Sequence, residues 1–214
     1  SCQIEFIPLK CKQKEMRVLS KEESQKLVSY LTVDSDNYKF GIFLALYTGI
    51  RIGELCALQW KDLSFDAKTL HISKTMQRLQ KVERNEEKKT HVIVVEAKSQ
   101  SSHRLIPLPD FILEIASKYK QSPNSYIIST DRGKFIEPRV MQYQFKKCIE
   151  ACGIKNVNFH ALRHTFATRC VEAGFDIKTL SEILGHSSVK ITLDKYVHSS
   201  LELKRSNMEK LQLF

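Results

Sequence analysis

The run FGIFLALYTGI, residues 40–50, narrows what this chain can become more than any other stretch. Together with the preceding Tyr38 and Lys39 it reads as a helix whose apolar character predicts burial, with Gly49 as a good helix stop. It is too short to span a bilayer, which takes about 20 residues. A buried helix needs a domain around it, and the chain of 214 residues is long enough for one sizeable domain, or a domain with an appendage. Apolar residues at 42% and charged residues at 27% are ordinary globular values, so a packed core is expected. Lys and Arg outnumber Asp and Glu by 34 to 24, a net charge of +10 that favours a polyanionic partner, nucleic acid before membrane. The N-terminus has no signal-peptide pattern, and a cytoplasmic location is expected.

Around this run the pattern is mostly helical. SKEESQKLVSYL opens with Ser20 and Glu23 at capping-box spacing and carries Leu27, Val28 and Leu31 as an apolar stripe. RIGELCAL restarts a helix directly after Gly49 and Ile50. LSFD, TLHISK, HVIVVEA and HRLIPLP then alternate apolar and polar residues and are rich in β-branched ones, which predicts a small antiparallel sheet. The charged interval QRLQKVERNEEKKTH between them reads as a solvated hairpin first and a DNA contact second. Beyond Pro109, helices are expected over 110–120, 138–151, 160–173 and 176–184 and in a tail from about 200, with one short strand at SYIIS. The expected class is α+β, mostly helical, with a small antiparallel sheet inserted early. Residues 1–15 show no sustained period and read as a linker remnant.

FHALRHTFATRC, residues 159–170, carries His160, Arg163 and His164. Helical spacing stacks His160 and Arg163 on one face, while Leu162, Phe166 and Cys170 mark a neighbouring apolar stripe. A metal site fits poorly, because no acidic residue lies between the histidines and Arg163 would set a cation beside the ion. A phosphate-handling cluster and an ordinary solvated helix face both remain open for this stretch alone. His164 is expected to make a structural hydrogen bond within its helix. The six cysteines (Cys2, Cys11, Cys56, Cys148, Cys152, Cys170) lack disulfide-framework or zinc spacing and read as reduced, buried thiols.

Three further stretches bear on the choice. TGIRIGEL sets Arg51 just past a helix stop, LGHSS sets His186 after a helix-ending glycine, and LDKYVH sets Tyr196 ten residues later in a polar context unlike that of a core aromatic. With the lysine of VEAKSQSSHRLIPLP, these residues resemble the tyrosine recombinase (integrase) family in order and approximate spacing, over roughly residues 18–200. The resemblance implies an Arg–Lys–His–Arg–His–Tyr active site made of Arg51, Lys98, His160, Arg163, His186 and Tyr196, with Glu54 supporting Arg51. It implies two arginines clamping a DNA phosphodiester, His160 in acid/base chemistry and His186 bonding the phosphate. Lys98 would protonate the departing 5′ oxygen, and Tyr196 would be the nucleophile that forms a 3′-phosphotyrosine. No cofactor, metal or ATP is implied, and the sequence shows no P-loop and no convincing carboxylate cluster for Mg²⁺.

The same resemblance makes residues 16–214 a catalytic domain with a C-terminal helical tail at about 200–214. The expected partners are double-stranded recombination sites and three further protomers in a tetramer, with the tail docked in trans. An excisionase is a further candidate partner, and none is expected from a membrane. Full-length relatives carry an N-terminal core-binding domain, for which residues 1–15 leave no room, so weak DNA binding by this chain alone is expected. The length of the charged interval resembles integrases of conjugative transposons and some phages. A Xer-type chromosome-resolving recombinase and a type IB topoisomerase-like enzyme are the alternatives among nucleic-acid enzymes, and a catalytically silent DNA-binding module is the alternative outside them.

Overall fold

The computed structural model describes residues 16–34, 36–80, 90–96, 102–130, 132–197, 205 and 208–209. Helix α2 (Asn37–Thr48) is its centre. The Asp36 carboxylate caps it by accepting from the Lys39 N–H at 2.8 Å, and Gly49 closes it in the left-handed conformation at φ 64°. Phe40, Ile42, Phe43, Leu44, Ala45 and Leu46 are all buried, so the helix is covered on every side. Its cover is supplied by α1 (Lys21–Thr32), α3 (Ile52–Ala57), α4 (Asp110–Ser117), α5 (Pro138–Ala151) and α6 (His160–Glu172). Each large apolar side chain buried there contributes about 1.5–3 kcal/mol, which makes this apolar stretch the nucleus of the core.

The remaining helices follow from equally local signals. The Ser20–Glu23 capping box opens α1, which buries Leu27 and Leu31 on one face. Helices α7 (Ile177–Leu184) and α8 (Val189–Tyr196) pack on α6 and on each other around Ala167, Cys170, Leu180, Leu184 and Tyr196. Helix α8 is not among the expected ones; Ser188, which accepts from the Lys190 N–H at 3.2 Å, caps it.

There are two antiparallel sheets among the described residues rather than one. Strands β1 (Leu63–Ser64), β2 (Thr69–Ile72) and β5 (Arg104–Pro107) form the first, in the order β1-β2-β5, with Leu70 opposite Ile106 and Ile72 opposite Arg104. Strands β3 (Lys74–Gln80) and β4 (Thr90–Glu96) pair only with each other, and β3 packs on α3. That approach depends on Gly53: a Cβ there would lie 2.7 Å from the Met76 carbonyl oxygen and 2.6 Å from Thr75 Oγ1. An Arg78–Glu137 ion pair ties the same hairpin to the start of α5. The stretch SYIIS is not a strand; Tyr126 and Ser129 form isolated bridges with Gln59 and Phe135. No described helix is long and apolar enough to cross a membrane. The expected tail helix and linker remnant fall outside the described residues, apart from Arg205, Met208 and Glu209.

Candidate active site

Three arginines converge on the C-terminal end of α7. The last carbonyls of a helix lack intrahelical partners and carry the negative end of its dipole, so they attract cations. Here Arg104 Nε donates to the Ile183 carbonyl at 2.6 Å, Arg163 Nη2 to Leu184 at 2.7 Å and Arg51 Nη2 to Gly185 at 3.1 Å. Arg163 Nη1 also donates to the Gly49 carbonyl at 2.8 Å, so the glycine that ends α2 anchors an arginine from α6. Gly49 has no room for a side chain, because a Cβ would lie 2.5 Å from the Phe166 ring.

Glu54 balances this charge. Its carboxylate, 5% exposed, accepts from Arg51 Nη1 at 2.8 Å and from the Arg51 N–H at 2.8 Å. It also accepts from Arg104 Nη1 and Nη2 at 3.1 and 2.8 Å. Burial by itself would raise the Glu54 pKa. The hydrogen bonds and charges of Arg104 and Arg51 together outweigh burial and hold the carboxyl below its ordinary value.

Arg51, His160, Arg163, His186, Lys195 and Tyr196 line one cavity of about 340 Å³, with Ser102 at its wall. Five of the residues singled out from the sequence therefore meet in space, and Glu54 stands behind Arg51 as expected. Burial, reinforced by Arg51, pulls the Arg163 pKa well below the usual guanidinium value, so a bound anion would relieve a strained charge there. His186 turns Nδ1 to Thr192 Oγ1 at 2.8 Å, which leaves Nε2 as the nitrogen for a bound oxygen. Burial and the surrounding cations, Arg163 first, hold His186 neutral with a pKa of about 4. His160, at the first position of α6, is shifted down in the same sense by burial and then Arg163. The cavity is thus a cationic pocket with neutral imidazoles, complementary to a tetrahedral oxyanion beside a phenol.

Two expectations need correction. Tyr196 is not in a polar context unlike that of a core aromatic: it is 7% exposed and packs with Ala167, Cys170, Leu180 and Leu184 while lining the cavity. Burial raises its pKa, and Arg163 and Arg51 offset part of the rise. His164 does not bond within its own helix; its Nδ1 lies 2.8 Å from Tyr196 Oη on α8. Lys98 lies outside the described residues, between the end of β4 at Glu96 and Ser102. Of the cysteines, Cys56, Cys148 and Cys170 are buried and Cys152 is partly so, all as free thiols.

Sequence reasoning missed Arg104 and Lys195. Arg104 had a readable signal: in RLIP the alternation sets it on the inward face with Ile106, while Leu105 is 61% exposed. An arginine at an inward strand position needs a buried partner, and Glu54 is that partner. Lys195 is known only from the cavity itself, since a lysine beside a tyrosine carries no pattern.

Comparison with known proteins places this fold and its cationic pocket in a family. Residues 17–202 match the model of the phage integrase family, and the chain belongs to that family. It is 28% identical over 213 residues to a "Tyrosine recombinase XerC-like" protein of Caldanaerobacter subterraneus subsp. tengcongensis, covering 92% of this chain and 54% of that one. It is 26% identical over 215 residues to the "ICEBs1 integrase" of Bacillus subtilis, covering 93% of this chain and 55% of that one. The chain therefore spans about half the length of these curated relatives. Among solved structures, the Tn1549 transposon integrase in complex with a circular intermediate DNA shares the fold at a TM-score of 0.77 and 24% identity, over 95% of this chain and 68% of that one. The expected class, α+β and mostly helical, is the fold found, with two small antiparallel sheets where one was expected.

Proposed function

We propose that this chain is the catalytic domain of a site-specific recombinase that integrates and excises a mobile DNA element. The observation that carries this reading is the meeting of Arg51, His160, Arg163, His186 and Tyr196 around one cationic cavity. Two guanidiniums hold the non-bridging oxygens of a phosphodiester, and His186 Nε2 adds a third hydrogen bond as charge builds at phosphorus. Tyr196 Oη attacks: the Oη–P bond forms, the P–O5′ bond breaks and the phenol's proton passes to the neutral imidazole of His160 in the same cavity. The 5′ oxygen takes up a proton as it leaves, from Lys98 in this reading, with His160 in acid/base support. The 3′-phosphotyrosine keeps the energy of the phosphodiester, so a 5′ hydroxyl of another strand can displace Tyr196 without ATP.

The mobile-element reading draws on the similarity to the ICEBs1 integrase, and a Xer-type resolvase, second to it, draws on the XerC-like relative. Double-stranded recombination sites are the substrate, four protomers act together, and the cytoplasm is the setting. The apolar tail docks on the neighbouring protomer. In support, a groove of about 400 Å³ lined by Val28, Leu46, Tyr47, Phe166 and Phe175 offers apolar surface that such a tail would cover. An excisionase would act on the assembled complex.

The test is covalent capture. Nicked duplexes of randomised sequence, whose short cleaved strand diffuses away, are incubated with the protein and run on a denaturing gel. The account predicts a protein–DNA adduct that Tyr196→Phe abolishes; an adduct-free wild type would overturn it.

A further inference from the structure

His164 has no place in the six-residue site, yet among the described residues its Nδ1 is the hydrogen-bond partner of the Tyr196 hydroxyl, at 2.8 Å. It sits one position after Arg163, on the same helix, and is 9% exposed. Tyr196 lines the cavity and His164 does not, so His164 stands behind the phenol. From the other side its ring meets His160 edge-on, with centroids 4.5 Å apart. The Tyr196 ring is in turn held between His164, at 5.7 Å, and His186, stacked at 6.4 Å.

We infer that His164 is a positioning residue for the nucleophile, which turns the Tyr196 hydroxyl so that its proton points back into the protein and an oxygen lone pair faces the cavity. The inference rests on the recombinase reading above. In a neutral imidazole with its proton on Nε2, the Nδ1 lone pair accepts from the phenol O–H. The oxygen's remaining lone pairs are then the ones turned toward phosphorus, which attack requires. A hydroxyl free to rotate about its C–O bond would point its proton there in part of its orientations, and a misplacement of about 1 Å costs on the order of 100-fold.

The resting pair is neutral on both sides of the 2.8 Å hydrogen bond. Burial, together with His160, Lys195 and Arg163, keeps His164 neutral, with a pKa of about 4. Tyr196 is shifted upward from the ordinary phenol value. Full transfer of the proton between them is disfavoured on the order of a millionfold before attack begins. His164 therefore orients the resting hydroxyl without ionising it, and the proton leaves, to His160 in this reading, only as the Oη–P bond forms.

The experiment compares single-turnover adduct formation on the captured nicked duplexes for wild type, His164→Ala, His164→Leu and His164→Asn. Duplex affinity and thermal denaturation are measured in parallel. Asparagine places a carbonyl oxygen close to the Nδ1 position, whereas leucine fills the space without an acceptor. The account predicts a 10- to 100-fold slower adduct rate for Ala and Leu at unchanged affinity, and restoration to within about fivefold by Asn. Wild-type rates in the Leu variant would show that His164 only fills space and would overturn the inference while leaving the recombinase reading intact. Failure of the wild type to form an adduct would instead remove the recombinase reading, and the inference with it. Should the variants not fold, the ¹⁵N spectrum of wild-type His164 decides: an unprotonated Nδ1 supports the inference, and a protonated Nδ1 overturns it.

Discussion

Replacing Glu54 by glutamine removes one charge and no volume from the point where two arginines meet. Four hydrogen bonds enter the carboxylate, two from the Arg104 guanidinium, one from that of Arg51 and one from the Arg51 N–H. The two arms are unequal. The Arg104 and Glu54 side chains are each 6% exposed, so breaking that pair leaves a buried guanidinium without its counter-ion, at about 3–5 kcal/mol. The Arg51 side chain is 40% exposed, and solvent screening holds its share below about 1 kcal/mol. Glutamine keeps one acceptor oxygen but turns an NH₂ donor toward a cation, so little is recovered. The expected loss is about 3–5 kcal/mol, or roughly 6–20 °C in Tm at 2–4 °C per kcal/mol for a domain of this size. Urea and thermal denaturation followed by circular dichroism measure it, and adduct formation at a temperature where the variant is folded should still fall because Arg51 has lost its support. A Glu54→Gln protein within 1 kcal/mol of wild type would refute the view that the buried Arg104–Glu54 pair is electrostatically coupled.

Gly49→Ala combines a left-handed backbone with a Cβ 2.5 Å from Phe166, so a loss of about 2–4 kcal/mol is expected in chemical denaturation; a neutral effect would contradict the packing. Arg163→Lys keeps the charge but cannot hold the Gly49 and Leu184 carbonyls together, and adduct formation should fall about 100-fold or more with duplex affinity within threefold. Rates within tenfold of wild type would count against the fork. Stability should also depend on acid. His164 and His186 have folded pKa values of about 4 against an ordinary 6.5, so between those values the unfolded chain binds protons that the folded chain refuses. Stability then falls as pH drops through 6.5 and levels off below about 4. The loss between pH 7.5 and 5 is at most about 2 kcal/mol for each histidine, and a flat urea-denaturation profile over that range would exclude it.

The helical frame was legible because its signals are local. The apolar run at 40–50, the Ser20–Glu23 capping box and the glycines after α2 and α7 each act within a few residues of themselves. The site was legible in another way, through the resemblance that put Arg51, His160, Arg163, His186 and Tyr196 in family order, and the fold brings those five to one cavity. What escaped were relations between distant stretches. Arg104 finds Glu54 fifty positions earlier in the chain, and His164 finds Tyr196 thirty-two later. No periodicity encodes either pairing. The split into two sheets escaped for a similar reason: it depends on Gly53 letting β3 approach α3, a contact that strand alternation does not register.

The central claim is that Tyr196 is the atom donor of a 3′-phosphotyrosine. Its most direct measurement is tandem mass spectrometry of the captured adduct after nuclease and protease digestion, with the DNA strand polarity read from end-labelled duplexes. The account predicts a nucleotide remnant on the peptide containing Tyr196, joined through the 3′ phosphate and leaving a free 5′ hydroxyl on the other strand end. A remnant on any other residue, or a linkage through a 5′ phosphate, would contradict it.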